Sequence, residues 1–164
     1  MAQLAQFSGR GEGRVAVPTD LPTRRSLSAL QARLADTQAR RATLLEQGNR
    51  LIRAFAEKYP DSPARVVRYA DRTLNDYRWR LSRKAKWRHL GIPSNAVTLE
   101  LTGELGRHVL ASLPEVARMD WLSFEARRQA LNYQSAVTKY EVMRLRQLIV
   151  QQEQLRQLGR QGGR

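Results

Sequence analysis

The chain contains 164 residues, of which 29 are Lys or Arg and 15 are Asp or Glu, so its formal net charge is +14 at pH 7. A hydrophobic fraction of 41% supports a folded core and excludes a wholly disordered chain. The absence of cysteine excludes disulfides, thiolate zinc sites and cysteine nucleophiles. No apolar run approaches the ~20 residues of a membrane span, and the N-terminus lacks the apolar segment of a secretory signal. We therefore expect a cytoplasmic protein without a membrane partner.

The first part of the chain predicts an arm followed by a long helix. Residues 1–22 are rich in Gly, Pro and polar residues, which favours a flexible N-terminal arm. Thr23 or Ser26 can cap a helix, and Pro60 ends it after roughly 35 residues. Its apolar positions recur at the spacing of an amphipathic helix. They are Leu27, Leu30, Leu34, Ala42, Leu45, Ile52, Phe55 and Tyr59.

The next segment has the start signals of a second, shorter helix. Ser62 can act as its N-cap, with Pro63 at the first helical position. The apolar face of this helix consists of Val66, Tyr69, Ala70 and Leu74.

The period of the sequence then changes to that of a strand. Apolar residues alternate with polar ones in the order Tyr77, Arg78, Trp79, Arg80, Leu81 and Ser82. We predict a β-hairpin over residues 77–90, with its turn at 83–86 and a returning strand that carries Trp87 and His89. A continuous helix from Ala70 to Ala85 is the alternative. The hairpin is preferred because Trp79 falls off the helical stripe.

The last part of the chain predicts two more helices. Gly91 and Pro93 interrupt the chain, and a helix of about 18 residues follows over 97–113. Asp120 can cap a final helix that runs to Leu158, and residues 159–164 form a flexible basic tail. The predicted fold is mainly α, a single helical domain over 23–158. It is a long antiparallel helical hairpin, an intramolecular coiled coil, with shorter helices and one small basic β-hairpin.

The large positive charge predicts an anionic partner, because such a partner relieves the self-repulsion of the folded chain. Residues 65–88 contain nine basic and two acidic residues, with aromatic residues among them. Phosphate contacts from the basic side chains and base stacking on the tryptophans are the expected binding modes. The alternative is that the aromatic face covers the helical core and only the arginines face outwards. The candidate nucleic-acid-binding residues are Arg65, Arg68, Arg72, Arg78, Trp79, Arg80, Arg83, Lys84, Lys86, Trp87 and Arg88.

The sequence gives little support for catalysis. His89 and His108 lie 19 residues apart without a third ligand at a zinc spacing. Glu104 and His108 are one helical turn apart, which is typical of a solvated pair. No glycine loop for phosphate and no nucleophile elbow is present. We expect a protein that is not an enzyme and uses no metal or cofactor.

The order of several residues over 70–150 resembles a family of small uncharacterised proteins encoded on bacterial integrating conjugative elements. Some members carry the label integrase regulator, and many are encoded near a single-stranded DNA-binding protein and a topoisomerase. The resemblance implies a mobile-element protein that works around DNA, and it supplies no catalytic or binding residues. It is carried by Tyr77, Arg78, Trp79, Arg80, Trp87, Leu113, Pro114, Arg118, Trp121, Glu125, Arg128, Leu131, Asn132, Ser135, Tyr140 and Glu141.

Together these features predict a nucleic-acid-binding accessory protein of a mobile conjugative element, with single-stranded DNA favoured over duplex. A protein-interaction module that docks an acidic partner, such as the tail of a single-stranded DNA-binding protein, is the first alternative. A transcriptional or integrase regulator is the second. The long helices also suit pairing with a second copy of the chain.

Overall fold

The computed structural model describes residues 23–70, 76–92 and 96–161. It confirms a mainly helical fold in which a long helix pairs with another helix. The helices are α1 (Arg24–Lys58), α2 (Glu104–Ala111) and α3 (Glu115–Gln161). Three strands, β1 (Ala64–Arg68), β2 (Tyr77–Leu81) and β3 (Thr98–Leu99), form one antiparallel sheet in the order β1-β2-β3.

Both ends of α1 lie where the sequence predicts them. The Thr23 hydroxyl accepts a hydrogen bond from the Ser26 N–H over 3.1 Å, which satisfies one of the free N–H groups of the first turn. The helix ends at Lys58 because Pro60 disfavours helical geometry in the residue before it. Most of its buried residues follow the three-and-four spacing of a helix that packs along a partner. They are Leu27, Thr37, Leu44, Gly48, Leu51 and Phe55.

The two long helices run antiparallel, as predicted, and ion pairs mark their register. Near the start of α1, Arg33 contacts the Glu141 carboxylate over 3.0 Å. At the end of α1, Lys58 contacts Asp120 over 2.6 Å. Residue numbers therefore increase along α1 in the direction in which they decrease along α3, so the two helices are antiparallel. The end of α3 beyond Gln154 extends past the first turn of α1.

Residues 64–68 form β1, so the predicted helix after Pro63 is wrong. The Ser62 hydroxyl bonds to the Ala64 carbonyl instead of capping a helix. The neighbouring residues Val66 and Val67 favour a strand because their branched side chains fit a pleated surface. Along β1 they pair with Trp79 and Arg78 of β2.

The predicted strand at Tyr77–Leu81 is confirmed, but its predicted returning strand is wrong. Residues Ala85–Leu90 form a 3-10 helix, and the neighbours of β2 are β1 and β3. Trp87 and Leu90 lie three residues apart, which places them on one face of a helix with three residues per turn. Both side chains pack against the core.

The predicted helix over 97–113 is shorter than expected, because Thr98 and Leu99 pair with β2 before α2 begins. Helix α2 packs closely on the loop that precedes it, since a Cβ added at Gly106 would lie 2.1 Å from the Glu100 carbonyl oxygen. The final helix starts at Glu115, directly after Pro114, rather than at Asp120. It also continues through residues 159–161, where a flexible tail was predicted.

A cluster of aromatic rings joins both long helices to the sheet. Trp79 of β2 and Trp121 of α3 stack with their ring centroids 5.1 Å apart and their planes 5° apart. Phe55 of α1 meets both indole rings edge-on, with centroid distances of 4.8 and 5.2 Å. Trp79 and Trp121 are fully buried, so this cluster is the centre of the core.

Gly48 of α1 leaves room for the Tyr77 ring. We therefore expect Gly48→Ala to destabilise the protein, although Gly to Ala usually stabilises a helix. A Cβ at Gly48 would lie 2.0 Å from Oη and 2.1 Å from Cζ of Tyr77, which is fully buried. Gly to Ala inside a helix ordinarily gains about 1 kcal/mol. We expect Gly48→Ala to lose about 2 kcal/mol of unfolding free energy through overpacking, measured by urea denaturation followed by circular dichroism.

The control for this prediction is the next residue, Asn49, which is exposed on the same helix. Asn49→Ala should stabilise the protein by about 0.5 kcal/mol through helix propensity alone. If Gly48→Ala is as stable as Asn49→Ala, the close approach of Tyr77 to α1 is wrong.

Candidate nucleic-acid interface

Side chains of α3 hold the backbone of β2 at Tyr77. The side chain of Asn132 accepts the Tyr77 N–H through Oδ1 and donates to the Tyr77 carbonyl through Nδ2, both over 2.9 Å. Arg128 donates to the same carbonyl over 2.7 Å. The short strand β3 pairs with β2 only at Trp79 and Arg80. Asn132 and Arg128 thus complete the hydrogen bonding of β2 beyond the end of β3.

A buried carboxylate on α3 orients the Trp79 ring. Glu125 accepts a hydrogen bond from the Trp79 indole N–H over 2.7 Å. It also accepts two from Arg128, over 2.7 and 2.8 Å, and one from Gln129 over 2.7 Å. Burial alone raises the pKa of the Glu125 carboxyl, but these donors and the Arg128 charge outweigh it and hold the pKa below its ordinary value. Glu125 is therefore an ionised, fully bonded acceptor inside the fold.

These contacts settle which face of β2 is buried. Tyr77, Trp79 and Leu81 point into the core, whereas Arg78 and Arg80 point away from it. Trp79 is 0% exposed, with its ring stacked on Trp121, so the prediction that it stacks on a base is wrong for this fold. The alternative, in which the aromatic face covers the core, describes Trp79 correctly.

Trp87 is half-buried and packs against the same core from the 3-10 helix. Its ring centroid lies 6.0 Å from that of His89. Most of the Trp87 ring therefore packs against the core and is not accessible for stacking on a base.

The solvent side of the sheet carries a basic surface, which we call the outer face and define by Arg65, Val67, Arg78, Arg80 and Thr98. The register places Arg65 directly opposite Arg80, with Thr98 beyond it on β3. Like charges directly opposite each other destabilise a sheet. Both arginines are exposed, and neither forms an ion pair with any residue that the structure describes.

Arg78 completes the outer face beside Tyr69. Its guanidinium lies 5.9 Å from the centroid of the Tyr69 ring, a cation–π distance. The Tyr69 ring, which is half-buried, therefore packs against one face of the Arg78 guanidinium.

The other predicted basic residues do not all join this surface. Arg83 and Lys84 follow β2 and are exposed, and Lys84 forms an ion pair with Asp61 over 2.7 Å. Arg68 lies on the other side of the sheet, beside a cavity near Asp76 and Tyr77. Arg72 and the side chains of Lys86 and Arg88 lie outside the described part of the chain, as does the predicted arm at 1–22.

A cleft of about 670 Å³ lies between the end of α1 and the end of the sheet at which β1 begins and β2 ends. Ala64 and Leu81, both buried, form part of its apolar floor. Its rim is basic and consists of Arg65, Arg80, Arg83 and Lys84. Tyr59 also lines it, and burial together with the hydrogen bond to Asp120 raises the pKa of Tyr59 to about 12. The phenol therefore stays protonated at every physiological pH.

Sequence reasoning missed the polar residues of α3 that position the outer face. They include Glu125, Arg128, Asn132, Ser135 and Lys139, and Lys139 pairs with Asp76 at the start of β2. The spacing of these five residues, alternately three and four, is the signal that could have found them, because it marks one buried face of a helix. Many of the residues that carry the family resemblance lie in this interior, among them Tyr77, Trp79, Trp121, Glu125, Arg128 and Asn132.

Comparison with protein-family models gives no match, and comparisons with curated proteins and with solved structures give none either. Over residues 23–70, 76–92 and 96–161, no cluster of three His, Asp or Glu side chains is suited to a metal ion. In the same ranges no helix is both long and apolar enough to span a membrane.

The Glu125 network predicts a specific loss of stability in acid. A group with a lowered folded-state pKa stabilises the fold above its unfolded pKa, and this contribution disappears as the pH falls through the folded pKa. Glu125→Gln leaves Arg128 without its charge partner and should cost about 3 kcal/mol at neutral pH. The difference in unfolding free energy between the wild type and Glu125→Gln should decrease as the pH falls below about 4.

Urea denaturation at a series of pH values measures this gap. Glu153→Gln removes an exposed carboxylate from the same helix and serves as the matched control, with little change expected at any pH. A Glu125→Gln gap that stays constant from neutral to acid pH would contradict the ionised, bonded state of Glu125.

Proposed function

We propose that the protein binds nucleic acid through phosphate contacts made by the outer face of its sheet. The supporting observation is the cross-strand pair of Arg65 and Arg80, two exposed like charges whose juxtaposition costs stability without an anion. Arg78 adds a third guanidinium beside them. A phosphate backbone relieves this repulsion and suits the forked donors of arginine. The net charge of +14 acts in the same direction by drawing a polyanion to the protein.

The burial of Trp79 changes the proposed mode of binding. The preference for single strands rested on base stacking, and Trp79 is covered by Trp121 while most of Trp87 is used in packing. Contacts to phosphate remain, and these carry little sequence information. We therefore expect binding to single-stranded and duplex DNA with little base preference and a steep dependence on salt. The role as an accessory protein or integrase regulator of a conjugative element rests on the family resemblance alone.

Replacing both opposed arginines tests the proposal, because affinity and stability should move in opposite directions. Arg65→Ala/Arg80→Ala should weaken DNA binding and reduce the salt slope by about 1 to 2 on a log–log scale, since each phosphate contact contributes ~0.9 on duplex DNA. The same variant should unfold at equal or higher temperature because the like-charge pair is gone. Fluorescence anisotropy with labelled random-sequence DNA across salt concentrations measures the first effect, and thermal denaturation the second.

Arg24→Ala/Arg25→Ala is the matched control, because it removes the same charge from the far end of α1. Arg24→Ala/Arg25→Ala should weaken DNA binding less than Arg65→Ala/Arg80→Ala does. Equal losses in the two variants would show that net charge, rather than the outer face, carries the binding. The fluorescence of Trp79 and Trp121 should change little on binding because both rings are buried, so a change in intrinsic fluorescence would report the half-buried Trp87.

A protein-docking role is the second candidate, and the cleft beside the outer face is the observation that favours it. An apolar floor with a basic rim suits an acidic peptide that also carries an apolar side chain. Anisotropy of a labelled acidic peptide, with the same peptide of reversed charge as control, tests this role. Binding of the acidic peptide that survives nuclease treatment and is lost in Arg83→Ala/Lys84→Ala would favour the docking role over nucleic acid.

A further inference from the structure

An apolar stripe follows one exposed side of α3, and near its middle Ala130, Tyr133 and Val137 border grooves that α1 also lines. Its large members are Met119, Leu122, Tyr133, Val137, Tyr140 and Leu148, each between 39% and 72% exposed. With the small residues Ala126 and Ala130, they recur every three or four residues, so they share one face of the helix. By contrast, none of the large apolar side chains that the structure describes on α1 is exposed.

The size of the stripe is that of a protein interface. It spans about 44 Å of helix at 1.5 Å per residue. The exposed fractions of its six large side chains amount to roughly 700 Å² of surface, close to the ~800 Å² that each partner contributes to a standard interface. Two exposed tyrosines lie near its middle, and tyrosine is enriched among the residues that dominate binding energy.

We infer that the stripe binds the same stripe of a second copy of the chain, with the two α3 helices antiparallel. An antiparallel arrangement centred near Ser135 places Tyr140 opposite Ala130 and Tyr133 opposite Val137. The same register places Leu122 opposite Leu148, so nearly the whole stripe is paired. Each tyrosine then faces a smaller side chain, which allows the two helices to pack closely.

Arg144 selects this orientation over the parallel one. It lies within the stripe and is exposed. In the antiparallel register it faces Ala126, where its aliphatic stem can pack and its guanidinium can reach solvent. In a parallel pair it would face Arg144 of the other copy, and Ala126 and Ala130 would face themselves.

The dimer places both basic sheets on one side. The α3 residues that hold the sheet, Glu125, Arg128 and Asn132, lie roughly a third of a turn from the stripe at 100° per residue. The twofold axis is perpendicular to the antiparallel pair, so each sheet keeps its side. If the proposed function holds, the two outer faces form one extended surface for nucleic acid. This consequence rests on the proposed function, whereas the dimer itself does not.

Sedimentation equilibrium of the full chain without DNA tests the dimer. The protein should sediment at twice its 18.8 kDa chain mass in the micromolar range. Tyr133→Glu should raise the dissociation constant of the dimer at least about tenfold. Val150→Glu is the control, because Val150 is 52% exposed on α3 but, two residues after Leu148, lies off the stripe. A wild-type protein that remains monomeric up to ~100 µM overturns the proposal.

Salt separates this proposal from the proposed function. Added salt screens the repulsion between two chains of charge +14 and should tighten the dimer, whereas it should weaken DNA binding. Either result can fail without the other. A dimer that dissociates on addition of salt would overturn the apolar interface.

Engineered cysteines test the orientation, since the chain contains none of its own. Leu122→Cys/Leu148→Cys should form disulfide-linked dimers under mild oxidation, because the two positions face each other between copies. Leu122→Cys alone should not. Rapid cross-linking of the single variant would show a parallel pair and overturn the antiparallel arrangement.

Discussion

The peptide group of Tyr77 is the constraint on which the rest of the structure depends. A buried backbone N–H and carbonyl must find hydrogen-bond partners, and a lost partner costs about 1–3 kcal/mol. The short strand β3 does not extend to Tyr77, so Asn132 and Arg128 of α3 take its place. This attachment fixes the strand against the long helix. Because side chains alternate along a strand, it also fixes that Trp79 points to Glu125 and Trp121 while Arg78 and Arg80 point to solvent.

The same attachment explains how the fold tolerates an unfavourable surface. Arg65 and Arg80 repel each other across two strands, and the sheet is only three short strands wide. Hydrogen bonds to α3 and the aromatic cluster behind β2 hold the sheet in place despite that repulsion. The charge is therefore available to an anion rather than neutralised within the fold. This is the physical basis for proposing phosphate as the ligand, and it requires no aromatic platform for bases.

Local patterns predicted the elements that depend on local chemistry. Thr23 and Pro60 bound α1 as expected, and alternation over Tyr77–Leu81 predicted β2. The partners of β2 were not predictable, because pairing with β1 and β3 depends on contacts distant in sequence, and residues 87–90 fit either a strand or a 3-10 helix. Ser62 and Pro63 resemble a helix start although the branched residues after them favour a strand. Trp79 was assigned to base stacking because an aromatic among arginines looks the same in sequence whether it is buried or exposed. The spacing that marks the face of α3 carrying Asn132 as buried does not identify its partner, because the contact with Tyr77 joins residues 55 positions apart in sequence.

The central claim is that β2 buries its aromatic side chains and presents its arginines to the ligand. Arginine footprinting in the presence of DNA tests this claim most directly. The protein is treated with an arginine-selective dicarbonyl reagent, with and without DNA, and the modified peptides are quantified by mass spectrometry. The account predicts that DNA protects Arg65 and Arg80 strongly while Arg24 and Arg25 remain reactive. Protection of Arg24 and Arg25 with continued reactivity of Arg65 and Arg80 would contradict it, because the outer face of the sheet would then not be where the polyanion lies.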